Sequence, residues 1–227
     1  MKKKRIIAFF LVFAVLLLSG CGEKKYKVKK DFAPGELFSF YDTYASLVGT
    51  AGRNEVLNAL KIDLQEVNIE NGDHLGIPLK ENYAGMDFDI YLMFGHNNAQ
   101  FMGVDYRREY AYPGDREKMV KDIQTVCSRL AANVETQPNT SFVFNWAETY
   151  LKEDWDREIK VWEDASILRR LMNEEYNGSL MLWDMTDVAG ESVKEYLKTR
   201  GSDAVHTLSV SIYISEYNGL GYIEIRY

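Results

Sequence analysis

Two aspartates, Asp87 and Asp89, stand two residues apart in the run Met86-Asp87-Phe88-Asp89-Ile90. On a strand that spacing puts both carboxylates on one face. Paired carboxylates serve acid/base work or hold a cation, so these two are the candidate pair for a hydrolytic site. A tight turn at Ala84-Gly85, however, sets Lys80 across from Asp89 and Asn82 across from Asp87. Cross-strand pairing of that kind explains a solvated charged face without any chemistry, and it is the preferred expectation.

The other chemically capable residues are weaker candidates. His74, His96 and His206 are far apart in sequence. Metal sites need ligands at short helical or hairpin spacings, so no metal is expected. Cys127 falls on the apolar stripe of a helix, where it reads as a small buried hydrophobe rather than a nucleophile. The chain contains no Gly-x-Ser-x-Gly elbow, no Cys-x-x-Cys pair and no phosphate-cradling glycine loop, so no cofactor is expected. Acidic residues gather around Trp155 and Trp162. They form either the charged outer face of a helix with Trp anchors in the core or an aromatic-edged surface for a basic peptide or a glycan. Tyr213, Tyr222, Glu224 and Arg226 fall on the polar face of a terminal hairpin, where open aromatics suit a flat ligand or a protein partner. These four and the two tryptophans are the candidate ligand-binding residues, and an enzyme is the less favoured class.

The elements that must carry these residues can be read from periodicity. Met86, Phe88, Ile90, Leu92 and Phe94 alternate with Asp87, Asp89, Tyr91 and Met93, giving a strand with one buried face. Gln65 to Ile69 reads as an earlier strand, Asn71-Gly72 and Gly95 to Asn98 as turns, and Arg53 to Leu60 as a short helix. The strand that follows, from Ala99 to Tyr110, leaves its buried face open because Phe101 and Met102 are both apolar, and a bulge there would resolve it. Asp115 caps a long helix whose inner face is Met119, Ile123, Val126, Cys127, Leu130 and Val134. Ser141 to Tyr176 holds one or two helices, Ser179 to Met185 a short strand, and Thr186 is placed as the cap of a helix closed by Gly201. Asn218-Gly219 is expected to make a two-residue turn that pairs Ile214 with Ile223, Ile212 with Ile225, and Val210 with Tyr227. Its polar face then pairs Tyr213 with Glu224 and Ser211 with Arg226. The sum is an α+β fold: one largely antiparallel sheet of about six or seven strands, with amphipathic helices mainly on one face.

The 227 residues carry a formal net charge of −7, and that charge is unevenly placed. Lys2, Lys3, Lys4, Arg5 and five lysines between Cys21 and Asp31 lie at the start, so the remainder is strongly acidic. An acidic body repels phosphates, which excludes nucleic acid as a partner. With a single Cys beyond position 21, no internal disulfide is expected, and packing must hold the fold.

Lys2 to Arg5, the apolar run Ile6 to Leu18 and the small residues after it are the parts of a secretory signal. The run is shorter than the ~20 residues of a spanning helix. The quartet Leu18-Ser19-Gly20-Cys21 resembles the lipobox of bacterial lipoproteins at all four positions. That resemblance implies cleavage before Cys21, a lipid on its sulfur and a domain held outside the cytoplasm at the bacterial cell membrane. The expected organisation is a signal peptide over 1–20, a lipidated basic tether over 21–31 and one α+β domain over 32–227. The expected partners are the membrane, through the lipid, and a protein, peptide or glycan ligand. The alternative is a hydrolase of envelope material that uses Asp87 and Asp89.

Overall fold

The computed structural model describes residues 44–70, 73–95, 100–134, 141–142, 160–189, 191–201 and 205–227. Eight strands form one sheet in the order β1-β2-β3-β4-β8-β7-β6-β5, and every neighbouring pair is antiparallel. They are β1 Asn68–Glu70, β2 His74–Tyr83, β3 Met86–Phe94, β4 Phe101–Ala111, β5 Ser141–Phe142, β6 Gly178–Asp184, β7 Thr207–Ser215 and β8 Leu220–Arg226. Six are long, and β1 and β5 are edge strands of three and two residues. Short edges limit the unpaired backbone open to stray pairing. Among the described residues four helices accompany them: α1 Arg53–Leu60, α2 Arg116–Val134, α3 Ala165–Asn173 and α4 Glu191–Arg200. The fold class is therefore α+β.

Alternation decides which face meets the helices. Ile90, Tyr106, Ile225 and Val210 form a continuous row across β3, β4, β8 and β7, and all are buried. Leu92 and Val104 form the next row, and Ile223 and Ile212 continue the same face. Helix α2 lies on it. Tyr110 Oη donates to Asp122 Oδ2 at 2.9 Å, and Met119 Sδ lies where a Cβ on Gly221 would meet it at 3.2 Å. All six inner-face residues expected for α2 are buried, with Val120 and Ala131 beside them. Each such side chain contributes ~1.5–3 kcal/mol by leaving water. Helix α3 is tied to the same core, because Tyr112 Oη donates to the Met172 carbonyl at 3.0 Å. At the far end Gly49 takes φ 72°, and the Tyr196 ring of α4 packs where a Cβ would stand at 2.4 Å. Only glycine fits both conditions.

The β2–β3 hairpin turns on Ala84 and Gly85, both at positive φ, and pairs Lys80 with Asp89 and Asn82 with Asp87 as expected. The register shift at the start of β4 leaves Met102 unpaired between Phe101 and Gly103, and this bulge resolves the face that the sequence left open. Four expectations are corrected. The strand read over Gln65 to Ile69 begins only at Asn68, because Asp63 accepts the Gln65 N–H and turns Leu64–Glu66 into a 3₁₀ helix. Asp115 does stand just before α2, but its carboxylate accepts the Ala111 N–H at 3.2 Å. Thr186 opens a short 3₁₀ turn rather than α4, with Asp184 Oδ1 accepting its N–H at 2.9 Å. The last hairpin is shifted by two residues: Ile214 pairs with Gly221, Ile212 with Ile223 and Val210 with Ile225. Its loop is four residues, Glu216 to Gly219, closed by the Gly219 N–H on the Glu216 carbonyl at 3.0 Å.

Over 160–176, Val161–Glu163 is a 3₁₀ turn, and α3 starts separately where Asp164 Oδ1 accepts the Ser166 N–H. The expectations on residues 143–159, including Trp155, and on the turns Asn71-Gly72 and His96 to Asn98 lie outside the described residues.

Candidate functional site

β4 and β8 lie at the middle of the sheet and set Asp105 opposite Arg226 and Arg107 opposite Glu224. Their neighbours Val104, Tyr106, Ile223 and Ile225 face the helices, so these four charged side chains point the other way. They close into a ring. Arg226 Nε donates to Asp105 Oδ1 at 2.8 Å, and its Nη2 donates to Asp105 Oδ2 at 3.2 Å and to Glu224 Oε1 at 3.1 Å. Arg107 Nε donates to Glu224 Oε2 at 2.8 Å, and Arg107 Nη2 stands 3.7 Å from Asp105 Oδ2. Two arms extend toward the β1 edge. Arg107 Nη1 binds the Glu70 carboxylate. His74 is held between Asp73 Oδ1, 2.9 Å from its Nδ1, and Asp105 Oδ2, 3.4 Å from its Nε2.

Asp105 is fully buried beneath its partners. Burial alone would raise its pKa, but the bonds from His74 and Arg226 outweigh burial and hold it below the usual carboxylate range. Glu224 moves the other way, raised by burial and by the neighbouring Asp105 charge.

A row of π-systems crosses the same face. The Arg107 guanidinium lies 4.3 Å from the Tyr91 ring centroid and 5.3 Å from that of Tyr222. Tyr222 in turn stacks on Tyr213 at 4.8 Å with 14° between the planes. Four strands thus contribute one continuous stack: Tyr91, Arg107, Tyr222 and Tyr213. Cation–π contacts of this sort contribute ~0.5–2 kcal/mol and fix the rings in place.

Of the residues picked out from sequence, Tyr213, Tyr222, Glu224 and Arg226 are brought together on this face. Their partners differ from expectation because of the two-residue shift: Tyr213 meets Tyr222, and Ser211 meets Glu224. Trp162 is corrected as a ligand residue, since at 2% exposed it belongs to the core. Asp87 and Asp89 carry the expected partners: Asn82 Nδ2 donates to Asp87 Oδ1 at 2.9 Å, and Lys80 Nζ lies 2.8 Å from Asp89 Oδ1. Cys127 is fully buried, and burial pushes its thiol pKa up, so it is no nucleophile. Among the described residues no group of three His, Cys, Asp or Glu side chains could hold a metal ion.

Asp105, Arg107, Glu70, His74 and Tyr91 were not anticipated. A signal existed: Asp105-x-Arg107 and Glu224-x-Arg226 are matching charge pairs, each at the polar parity of its strand. It could be used only once β4 and β8 were known to be neighbours.

The two described histidines should titrate apart. His74 is raised above 6.5, first by its bond to Asp105 and then, against the cost of burial, by Asp73. His206 is lowered to about 4 by burial. In linkage terms, His74 stabilises the fold fully below pH 6.5 and loses that contribution as pH rises through its folded pKa. His206 stabilises it above pH 6.5, and that contribution is lost as pH falls toward about 4. Imidazole proton NMR should show one midpoint above 6.5 that disappears in His74→Gln, and a second near 4 that disappears in His206→Gln. In comparisons with known proteins, no family model, no curated protein and no solved structure matches this chain.

Proposed function

We propose that this chain is a lipid-anchored protein of the bacterial envelope whose extracytoplasmic domain is a non-enzymatic binding module. The anchor is read from the Leu18-Ser19-Gly20-Cys21 quartet. The binding surface is the sheet face turned away from the core. The single observation that carries this is the Tyr91-Arg107-Tyr222-Tyr213 stack, set beside a closed ring of charges. Its parts are locked by one another, so the face is pre-organised and loses little freedom when a ligand arrives. Rigid tyrosines and arginines are the residue types that dominate binding energy at interfaces. The charges on this face are paired with each other, as in a recognition surface, rather than poised for proton transfer. No helix among the described residues is long and apolar enough to cross a membrane.

The test is capture from solubilised envelope material with the full-length chain as bait. Tyr213→Ala/Tyr222→Ala should reduce the captured ligand about tenfold or more, as loss of a central aromatic anchor does, while circular dichroism shows an intact fold. Equal capture by both proteins would overturn the proposal.

A further inference from the structure

From the charge balance of this face we infer that its ligand is a basic peptide in extended form, bound through lysine or arginine side chains. The inference rests on the binding-face reading above. The ring of Asp105, Glu224, Arg107 and Arg226 is neutral by itself. Among the described residues, Glu70, Asp73, Asp89 and Glu109 stand around it, answered by Lys80 and, when protonated, His74. The surplus is negative, on a chain whose body carries net negative charge. Glu109 is exposed and sits directly across from Tyr222. Glu70, Glu109 and Asp89 are all near enough to raise the Tyr91 phenol pKa, after burial itself. Carboxylates set around aromatic rings are a setting for cations.

The face already performs this chemistry on one of its own residues. The Arg107 guanidinium lies between two tyrosine rings and is bonded to Glu224 and Glu70. A partner's basic side chain would find the same elements at the rim: a carboxylate for the head and a ring for the aliphatic stem. The geometry suits an extended chain. Tyr91 and Tyr213 are three strands apart and, because the row of Tyr91 runs through Asp105 and Arg226 to Ser209, four residues out of register; that is about 14 Å across the strands and about 13 Å along them, roughly 19 Å in all, or the span of about six extended residues. Alternate side chains of such a peptide point to the same side, so basic residues at even spacing would address both ends of the stack.

The probe is a hexalysine peptide, titrated by calorimetry into the full-length chain in detergent, with hexaglutamate and a neutral chitin hexasaccharide alongside. Hexalysine should bind saturably, and its affinity should fall about tenfold or more between roughly 0.05 M and 0.5 M salt. Glu109→Gln should weaken it about fivefold and Tyr213→Ala comparably, with Lys121→Ala on the outer face of α2 unchanged. No saturable binding, or binding that ignores both Glu109→Gln and Tyr213→Ala, overturns the inference, as does preference for the saccharide or for hexaglutamate. If hexalysine fails while Tyr213→Ala/Tyr222→Ala still empties the envelope capture, the ligand class falls and the binding face stands. If that double variant also captures normally, both fall.

Discussion

Asp105→Asn should cost the fold about 3–5 kcal/mol, the range seen when one partner of a buried charge network is removed. The substitution keeps the shape of the side chain and deletes only its charge. One amide oxygen can still accept from Arg226 Nε, but the NH₂ now faces Arg226 Nη2, His74 Nε2 and Arg107 Nη2, which stood 3.2, 3.4 and 3.7 Å from the lost oxygen. A donor is thereby pointed at cations in a place with no room for water, because Asp105 is 0% exposed. Asp89→Asn is the internal contrast. Its partner Lys80 has a side chain 63% exposed, so the loss should be under about 1 kcal/mol. Urea denaturation of the two variants decides between them, and near-equal losses would mean that water reaches the ring. The sign with pH follows from the lowered pKa of Asp105. Its stabilisation is present above the ordinary carboxylate range and is lost as pH falls through the folded value, so the gap between wild type and Asp105→Asn should close in acid.

A buried ring of charges is seldom more stabilising than apolar residues of the same size, so its stability does not explain why it stands there. Register does. Apolar alternation has period two, and a slip of two residues leaves every buried side chain buried. The charges break that degeneracy between β4 and β8. A slip in one direction sets Arg107 against Arg226, and in the other Asp105 against Glu224. Like charges face to face are penalised either way.

The same reasoning separates what was legible in the sequence from what was not. The β2–β3 register was readable because Ala84-Gly85 fixes a two-residue turn and Lys80 then falls on Asp89. The β7–β8 register was misread by two residues because its polar side on β7 is Ser209, Ser211 and Tyr213, all neutral, so nothing in the sequence forbids the slip. The faces came out right and the partners wrong, which is what a period-two signal permits. Helix α2 was legible down to its buried residues because one amphipathic stripe specifies its contacts. The centre of the site was not, because it depends on β4 and β8, whose paired residues Arg107 and Glu224 are 117 positions apart and joined only in the folded sheet. Long-range pairing of this kind leaves no local trace. Tyr213, Tyr222, Glu224 and Arg226 were found because they share one hairpin; Asp105, Arg107 and His74 were missed because their partners do not.

Cys21→Ser should abolish lipid attachment altogether, and it tests the half of the proposal that geometry does not reach. A hydroxyl cannot replace the thiol to which the proposed lipid is joined. Each buried CH₂ contributes ~0.8 kcal/mol, yet one chain alone gives only reversible binding, so permanent anchoring needs at least two signals. The proposed lipid on Cys21, as a multiply acylated group, supplies both by itself. The five lysines from Lys24 to Lys30 add about 1 kcal/mol apiece next to anionic headgroups. The two respond differently to salt, because screening removes the lysine contribution and leaves the acyl chains untouched. Wild type should therefore stay with membranes through a high-salt wash and leave only in detergent. Palmitate label should appear on the wild-type band, whose mass begins at Cys21, and be absent from Cys21→Ser. Substituting the five lysines instead should leave the label in place and make attachment only more sensitive to competing acidic vesicles. Because the body is acidic and repelled by the same headgroups that attract the lysines, the domain should stand away from the bilayer with its charged face in solvent, where a basic ligand can reach it. A wild-type chain that carries no label, or whose mass includes Met1, would remove the anchor and leave the binding face to be judged by its own tests.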